Sequence, residues 1–244
     1  MFEVFAEYYD AIYSGIKDYP AEADAVASLV RKINPGARTV LDVACGSGEH
    51  ARRLAERGFL VDGLDIDPAF VRLARQKHAA GRFFEADMAD FQLPARYDVI
   101  VCLFSSIGYL RTLNRVSCAL ECFREHLAPG GVVVVEPWFA PGVLDEKRVG
   151  TTSGEADGTR IVRTSRIEVQ SRLSRLHFDY EITDSGGTRH ATEVHELGLF
   201  SNEELMDAFR AVGLLPEFDP EGLAGRGLYV AVAAAAAPGA IFSV

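Results

Sequence analysis

The chain has 244 residues, of which 48% are hydrophobic and 25% are charged, and its formal net charge is −10 at pH 7. These values are typical of a globular protein with one large domain, or with one domain that carries an insertion. The acidic balance argues against a nucleic-acid partner, which would require a basic surface. Neither an apolar run long enough to span a membrane nor a cationic leader is present in the sequence. We therefore expect no nucleic-acid or membrane partner.

Four cysteines bear on metal binding and on the cellular compartment. Cys118 and Cys122 stand one helical turn apart, but no His or Cys at ligand spacing accompanies them. Thiols at this spacing on an apolar helix face are typical of core packing. We predict free thiols, no metal and a cytoplasmic location.

Helices and strands alternate through the first 140 residues. Because the strands are apolar and separated by helices, they predict a parallel sheet covered on both faces, which is a doubly wound α/β fold. Ligands in such folds bind outside the carboxyl ends of the strands. The predicted elements are a lid helix within 1–20, helices over 21–33, 49–57, 67–77 and from about 113 to 127, and strands over 38–43, 59–64, 82–86, 97–103 and 132–136.

The pattern changes between residues 141 and 200. Three segments alternate polar and apolar residues and are joined by short turns, which predicts an antiparallel sheet with one wet face over 159–169, 172–183 and 188–199. The preceding stretch 150–158 is polar and is predicted to be mobile. We interpret 141–200 as an insertion that covers the acceptor site or forms a homodimer interface.

Residues 201–244 are predicted to return to the core sheet. Ser201 and Glu204 form a capping-box pattern, and strands are predicted over 214–218 and 227–232, so that the mostly parallel sheet has seven strands. The domain prediction is therefore a cofactor-binding core over 1–140, the insertion over 141–200 and the return over 201–244.

The segment 40–48 carries the strongest functional signal. A buried strand ends in the turn Ala44-Cys-Gly-Ser-Gly48, and a helix follows whose first N–H groups are free to bind an anionic group. We expect Gly46 and Gly48 to let the backbone approach a ligand that a Cβ would block. Because Gly46-x-Gly48-x-x-Ala51 also satisfies a relaxed dinucleotide fingerprint, a nicotinamide dehydrogenase is an alternative.

Carboxylates follow three predicted strands. Asp42 lies four residues before Gly46, Asp65 ends the next strand, and Asp87-Met88 follows the third. Separately, each acid could serve a turn, a helix cap or a loop. Together, at the ends of parallel strands around one glycine turn, they favour a cationic sulfonium ligand. The pattern D-x-x-x-G-x-G resembles the first motif of S-adenosylmethionine-dependent methyltransferases, and in that fold the acids would bind ribose and adenine.

A longer series of motifs resembles the aminosugar N,N-dimethyltransferases that act on TDP-linked 3-amino deoxysugars in macrolide biosynthesis. In chain order, the motifs are Phe5-Ala-Glu-Tyr-Tyr-Asp10, Lys17-Asp-Tyr19, Asp42-Val-Ala-Cys-Gly-Ser-Gly48, Asp87-Met-Ala-Asp-Phe91, Phe104-Ser-Ser-Ile-Gly108, Leu127-Ala-Pro-Gly-Gly131, Val135-Glu-Pro-Trp138 and Gly225-Arg-Gly-Leu228. The resemblance covers nearly the whole chain and implies the class I methyltransferase fold.

The resemblance also implies which residues form the site. The cofactor, S-adenosylmethionine, is expected to contact Tyr19, Asp42, Ala44, Gly46, Gly48, Asp65, Ile66, Asp87, Met88 and Leu103. The acceptor, a nucleotide-linked sugar, is expected to contact Tyr9, Tyr13, Ser106, Trp138 and Arg226. Members of the family carry a histidine directly after Ser-Ser-Ile-Gly, where this chain has Tyr109.

This departure leaves the fate of the amine proton open. Tyr109 and Ser106 are the candidate catalytic residues, Tyr109 as a hydrogen-bond acceptor for the amine and Ser106 as an orienting group. Tyr109 could equally be a packed aromatic, since a phenol is a poor base at neutral pH. Alternatives to aminosugar methylation are methylation of another small amine or hydroxyl, and a non-catalytic module that binds the cofactor.

Several other polar residues have weaker assignments. Glu136 either lines the pocket or caps a neighbouring element. Four arginines alternate on the antiparallel segment and predict a solvated face or, alternatively, a surface that shapes the acceptor site or a subunit contact: Arg163, Arg166, Arg172 and Arg175. Three histidines there predict structural roles: His177, His190 and His195.

Overall fold

A computed structural model describes the backbone of residues 3–234, and the side chains of 3–5 and 7 are not described. The first two residues of the predicted lid segment and the end of the predicted return over 235–244 lie outside the described residues. The helices are α1 (Glu3–Tyr13), α2 (Tyr19–Ile33), α3 (Glu49–Glu56), α4 (Pro68–Lys77), α5 (Leu113–His126) and α6 (Asn202–Ala211), with a 3₁₀ helix at Ser106–Leu110.

Eleven strands form two sheets among the described residues. The strands are β1 (Thr39–Val43), β2 (Leu60–Asp65), β3 (Phe83–Glu85), β4 (Tyr97–Cys102), β5 (Leu127–Val135), β6 (Val149–Ala156), β7 (Thr159–Gln170), β8 (Leu173–Asp184), β9 (Gly187–Gly198), β10 (Leu214–Asp219) and β11 (Leu228–Ala233).

The first sheet has seven strands in the order β10-β11-β5-β4-β1-β2-β3. Strands β1 to β5 pair in parallel where they are neighbours, whereas β11 is antiparallel to both β5 and β10. The predicted doubly wound, mostly parallel fold with seven strands is confirmed. The order reverses between β1 and β4, and this reversal opens a crevice at their carboxyl ends.

Both faces of this sheet are buried, as the apolar strands predicted. On β1, Leu41 packs with residues of α5 and α6, while its neighbour Val40 packs on the opposite face with residues of α2 and α3. Successive side chains of a strand point to opposite faces, so a run of apolar residues serves two cores at once.

Local sequence signals set the helix starts. The Asp67 side chain accepts a hydrogen bond from the N–H of Ala69 at the start of α4, with Pro68 at the first helical position. Ser201 and Glu204 exchange both hydrogen bonds of a capping box at the start of α6. Each pattern satisfies N–H groups that lack a partner in the helix, and both predictions are confirmed.

The second sheet is antiparallel, in the order β6-β7-β8-β9, and therefore has one strand more than the sequence predicted. The sequence predicted no strand over 150–158, where Val149–Ala156 forms β6. Its inward positions are the small residues Gly150, Thr152, Gly154 and Ala156, which give no apolar alternation to detect. A Cβ on Gly154 would overlap the carbonyl oxygen of Ala11, so β6 lies directly against α1.

Among the residues described, no helix combines the length and apolar character needed to cross a membrane. The same residues contain no group of three or more His, Cys, Asp or Glu side chains arranged to hold a metal ion. All four cysteines are free thiols.

Candidate active site

A cavity lies at the carboxyl ends of β1 and β4, where the strand order reverses. It brings together seven of the predicted site residues, from the lid segment, the glycine turn and the loop after β4: Tyr9, Tyr19, Asp42, Ala44, Gly46, Leu103 and Ser106. Residues that the sequence did not single out for this site complete the lining: Cys45, Ser47, Glu49, His50 and Phe104.

The two glycines of the turn have different reasons to be glycine. Both have positive φ, +54° at Gly46 and +78° at Gly48. A Cβ on Gly46 would meet nothing within 4 Å, so this residue leaves open space on the side of the cavity. A Cβ on Gly48 would lie 2.9 Å from the Cα and Cβ of Ala74, so Gly48 lets α3 pack against α4. Only Gly46 therefore fits the expected role of ligand approach.

Asp42 presents a buried acceptor at the base of the cavity. Its Oδ2 atom has no hydrogen-bond partner among the described residues, and the residue is 2% exposed. Burial, and secondarily the Asp65 carboxylate, raise the pKa of Asp42 to about 8. A buried carboxylate without a partner is costly, and a cationic ligand group would compensate that cost. The residues therefore fit a cofactor that carries positive charge.

Asp65 holds the turn rather than facing open space. Its Oδ2 accepts the N–H of Gly46 at 2.8 Å, and its Oδ1 accepts the N–H of Asp67 at 2.9 Å. Burial raises the pKa of Asp65, and these N–H groups oppose that effect. The carboxylate thus links the end of β2 to the glycine turn beside β1.

The lid segment is fastened over the turn by charged groups. Asp10 accepts the Ser47 hydroxyl at 2.6 Å and pairs with Lys77 at 2.6 Å. Buried Glu22 pairs with Lys17 and contacts His50, both at 2.8 Å. Burial opposes the ionisation of Glu22, but the hydrogen bonds from His50 and Lys17 outweigh it and lower its pKa. These contacts place the Tyr9 and Tyr19 rings on the cavity wall.

The loop after β4 is strained and is held by Glu136. Phe104 and Ser105 adopt left-handed φ values of 54° and 61°, which are unfavourable for residues other than glycine. The Phe104 N–H donates to Glu136 Oε2 at 2.7 Å, and the Ser105 hydroxyl donates to the carbonyl of Pro137 at 2.7 Å. Of the two roles expected for Glu136, holding a neighbouring loop is the one observed, and the strain positions Ser106 at the cavity.

Arg226 is held by the same carboxylate. Its guanidinium pairs with Glu136 Oε1 at 2.5 Å and lies 5.9 Å from the centroid of the Phe104 ring. Its Nε–H is buried and has no partner among the described residues. The side chain is therefore held in place by Glu136 while its buried Nε–H donor is still available.

Arg163 is buried, and the prediction that it lies on a solvated face was wrong. The residue is 6% exposed, and its guanidinium lies between the Tyr13 and Phe178 rings and donates to the Tyr13 hydroxyl at 2.8 Å. Strand alternation places position 163 on the face of the second sheet that meets α1. The other three arginines form partly exposed ion pairs, with Asp179, Glu204 and Glu196 in turn: Arg166, Arg172 and Arg175.

Tyr109 is joined to a histidine from the second sheet. The Tyr109 hydroxyl and His195 Nδ1 are 2.7 Å apart, and His195 Nε2 lies 3.3 Å from Glu193 Oε2. Although Tyr109 is 41% exposed overall, burial of its hydroxyl end raises its pKa. His195 is 4% exposed, and sequence reasoning missed its link to Tyr109 because the two are far apart in the chain.

Other predicted site residues lie outside this cavity. Asp87 pairs with Arg115 at 2.5 Å and accepts the N–H of Ala89. Ile66 is exposed and Met88 is half-buried near the ends of β2 and β3. The Trp138 indole N–H donates to Ser174 at 2.9 Å, which ties the end of β5 to the second sheet.

The fold and the site together define a class I methyltransferase: a seven-stranded sheet with one antiparallel strand, and a glycine turn beside a buried carboxylate, one oxygen of which has no hydrogen-bond partner among the described residues. In agreement, the family model described as a methyltransferase domain matches residues 40–131.

Proteins of similar sequence indicate which methyltransferases this chain resembles. The chain is 38% identical to a dTDP-3-amino-3,4,6-trideoxy-alpha-D-glucopyranose N,N-dimethyltransferase of Streptomyces venezuelae, over 96% of this chain and all of the relative. It is 40% identical to a dTDP-3-amino-3,6-dideoxy-alpha-D-glucopyranose N,N-dimethyltransferase of Streptomyces fradiae, over 92% and 89% of the two chains.

Solved structures agree with these relatives. DesVI of Streptomyces venezuelae superposes with a TM-score of 0.87 at 37% identity, covering 95% of this chain and 98% of the other. CalS10, an amino pentose methyltransferase of Micromonospora echinaspora solved with S-adenosylmethionine bound, gives 0.83 at 35% identity, covering 95% and 97%. The chain therefore belongs to the S-adenosylmethionine-dependent aminosugar N,N-dimethyltransferase family, and S-adenosylmethionine is its cofactor.

Proposed function

We propose that this protein transfers methyl groups to the amine of a dTDP-linked 3-amino deoxysugar and carries out N,N-dimethylation. The observation that carries the proposal is that a single cavity is lined both by the buried Asp42 carboxylate and by Ser106 and Tyr9. A cationic cofactor and an acceptor can therefore meet at one point. The substrates named for the relatives at 38% and 40% identity support this choice of acceptor.

Asp42, Gly46 and Tyr19 hold the cofactor in this proposal. When bound, S-adenosylmethionine supplies a methyl group activated by a sulfonium. The open space at Gly46 lets the ligand approach the backbone of the turn, and the Asp42 carboxylate compensates the positive charge of the cofactor. Asp65 acts through the turn that it fixes, and Ile66, Asp87 and Met88 at the ends of β2 and β3 would extend the site toward the adenosine.

The remaining residues orient the acceptor. Methyl transfer requires the nitrogen to be held in line at near-attack distance, which alone can supply several kcal/mol. Ser106 is a hydrogen-bond partner beside the cavity, and Tyr9 with Tyr13 forms an aromatic wall. Arg226 and Arg163 each keep a buried Nε–H without a partner among the described residues, which suits an anionic diphosphate. Trp138 is the proposed nucleotide-side aromatic.

Incubation with labelled S-adenosylmethionine and a dTDP-3-amino-6-deoxysugar tests the proposal. We expect mono- and then dimethylated sugar, detected by mass spectrometry as successive gains of one methyl group. A dTDP-4-amino sugar forms the second arm, because a relative from Saccharopolyspora spinosa at 36% identity is named for that acceptor. Simple amines and hydroxylated sugars form the third arm. Methyl transfer only to a substrate of the second or third arm would show that the acceptor is not a 3-amino sugar. Cofactor binding without methyl transfer to any of these substrates would contradict the proposal that the protein is an enzyme.

We also propose the domain organisation and assembly that the sequence predicted. Residues 1–140 form the cofactor core with the lid, 141–200 the insertion and 201–244 the return. The second sheet ends at the edge strands β6 and β9, and exposed Val149 and Val194 lie on those strands, which supports a homodimer through this sheet. Light scattering after size exclusion measures the mass directly. A cytoplasmic location is proposed from the free thiols.

A further inference from the structure

The hydrogen bond between Tyr109 and His195 joins the loop after β4 to the insertion. Tyr109 belongs to the 3₁₀ helix Ser106–Leu110, and His195 belongs to β9. The Tyr109 hydroxyl and His195 Nδ1 are 2.7 Å apart, and His195 Nε2 is 3.3 Å from Glu193 Oε2. The Tyr109 phenol, the His195 imidazole and the Glu193 carboxylate thus form a hydrogen-bonded relay.

The partners of His195 determine which group donates in each hydrogen bond of this relay. The Glu193 carboxylate can only accept a hydrogen bond, so Nε2 of a neutral His195 carries the ring proton and donates it, which leaves Nδ1 as the acceptor for the Tyr109 hydroxyl. The hydroxyl oxygen keeps a lone pair that can face an acceptor amine. Tyr109 lies three residues from Ser106, which lines the cavity.

We propose that Tyr109 and His195 together take the proton of the acceptor amine, with His195 positioned by Glu193. This inference rests on the proposed function, because it requires an amine acceptor. It also explains how this chain works with Tyr109 directly after Ser-Ser-Ile-Gly, since the imidazole is supplied by the second sheet instead.

The step balances without any further reactant. The bound ammonium gives one proton to the Tyr109 oxygen, while the Tyr109 hydroxyl proton passes to His195 Nδ1. The products are a neutral amine, an unchanged phenol and an imidazolium facing the Glu193 carboxylate. With S-adenosylmethionine bound, the amine lone pair would form the N–C bond as the C–S bond breaks and its electron pair stays on sulfur. The nitrogen would then be a methylammonium, whose proton leaves by the same route before the second transfer. Solvent must remove the proton from His195 before a second methylation.

Charged and aromatic groups surround His195. On its own strand it faces Glu193, which also receives the Tyr180 hydroxyl of β8 at 3.4 Å. The Phe178 ring of β8 lies 5.0 Å from the imidazole ring. Beyond that ring lies the Arg163 guanidinium of β7, which donates to Tyr13 of α1. Burial raises the pKa of both Tyr109 and Tyr13, so each phenol stays neutral and acts by hydrogen bonding.

Nitrogen-15 spectra of histidine-labelled protein test the geometry without turnover. We expect a neutral His195 protonated at Nε2, with Nδ1 shifted by the hydrogen bond from Tyr109, and Tyr109→Phe should move the Nδ1 signal. His195→Asn assigns the resonance, and His190→Asn, an exposed position on the same strand, is the matched control. Protonation of Nδ1 in the neutral ring, or a signal unaffected by Tyr109→Phe, would overturn the proposal.

The pH dependence of turnover tests the proton transfer. Tyr109→Phe and His195→Asn should each lower kcat at neutral pH by about tenfold to a hundredfold, with a smaller change in KM. Each substitution should raise the pH at which activity is half-maximal by about one unit or more, because the amine must then lose its proton without help from the enzyme. The double variant should show no larger fall in kcat than either single variant, because both residues act in one relay.

A rescue variant separates proton transfer from packing. In Tyr109→His, an imidazole replaces the phenol and can accept the amine proton directly, so adding His195→Asn should lower kcat by less than about threefold. If the falls in kcat caused by the two substitutions multiply, or if the pH profiles of the variants are parallel to that of the original protein, His195 only supports the fold. An original protein that methylates no amine, while its nitrogen-15 spectrum is as expected, would instead refute the proposed function.

Discussion

Glu136 and Arg226, which are 90 positions apart in the chain, form an ion pair of 2.5 Å in which the Glu136 side chain is completely buried. The same carboxylate accepts the N–H of Phe104 at 2.7 Å. One acid thus joins the end of β5, the strained loop after β4 and the segment before β11. Of these segments, the loop after β4 lines the cavity through Phe104 and Ser106.

Glu136→Gln should destabilise the protein by about 3 kcal/mol, because it removes the charge that compensates a largely buried guanidinium. Chemical denaturation measures the change in the free energy of unfolding. The double variant Glu136→Met with Arg226→Leu should recover part of this loss, since no charge is then left unpaired. Glu196→Gln, in an ion pair at the surface, is the matched control and should change stability little. Equal losses in both glutamine variants would contradict the prediction.

Cofactor affinity should depend on pH through Asp42. Its pKa is raised to about 8, so the carboxyl carries a proton at neutral pH in the free protein. A cationic ligand favours the ionised form, and binding should therefore release a proton. The Kd for S-adenosylmethionine should fall up to about tenfold per unit between roughly pH 6 and 8, and then level off. Calorimetry in two buffers of different ionisation enthalpy counts the protons, and Asp42→Asn should bind more weakly with no slope.

The same ionisation affects stability in the opposite sense. The folded protein holds the Asp42 proton more tightly than the unfolded chain, whose carboxyl has a pKa near 3.9. Asp42 therefore favours folding at low pH, and its contribution declines as pH rises through about 8. Asp42→Asn should flatten the fall in melting temperature between pH 5 and pH 8. An unchanged pH dependence in this variant would rule out the raised pKa.

Alanine substitutions in the glycine turn should separate ligand approach from packing. Gly46→Ala should weaken cofactor binding at least tenfold with a stability loss of about 1 kcal/mol, because only the left-handed φ is strained. Gly48→Ala should cost more stability, since its Cβ also meets Ala74 at 2.9 Å. Gly58→Ala, with φ of +92° and nothing within 4 Å, measures the cost of strain alone. Thermal unfolding and calorimetry provide the two readouts.

Substitution of Gly154 should displace the lid. A Cβ there overlaps the backbone of Ala11 in α1, which cannot move as a side chain can. Gly154→Ala should therefore raise the cofactor Kd and speed cofactor release, measured by stopped-flow fluorescence. At Gly150, on the same strand, the Cβ meets only the Ser165 hydroxyl, which can rotate away. Gly150→Ala should leave both quantities close to their original values, and equal effects would show that α1 does not depend on this contact.

The sequence predicted those features that depend on neighbours within a few residues. Asp67-Pro68 and Ser201 with Glu204 predicted helix starts, because caps act within one turn. The apolar strands predicted the doubly wound sheet. The edge strand β6 was missed, since its inward positions are small or polar residues and carry no hydrophobic alternation.

The strand end and the glycine turn of the proposed cofactor site were predictable for the same local reason, whereas two contacts made by the second sheet were not. Asp42 and Gly46 belong to one strand and its turn, so their meeting follows from the local chain. His195 reaches Tyr109, 86 positions away, only because the second sheet docks on the loop after β4. Arg163 is buried only because α1 packs on that sheet. Periodicity and turn chemistry act over a few residues, whereas the docking of two sheets is decided by the fit of surfaces that the complete fold creates.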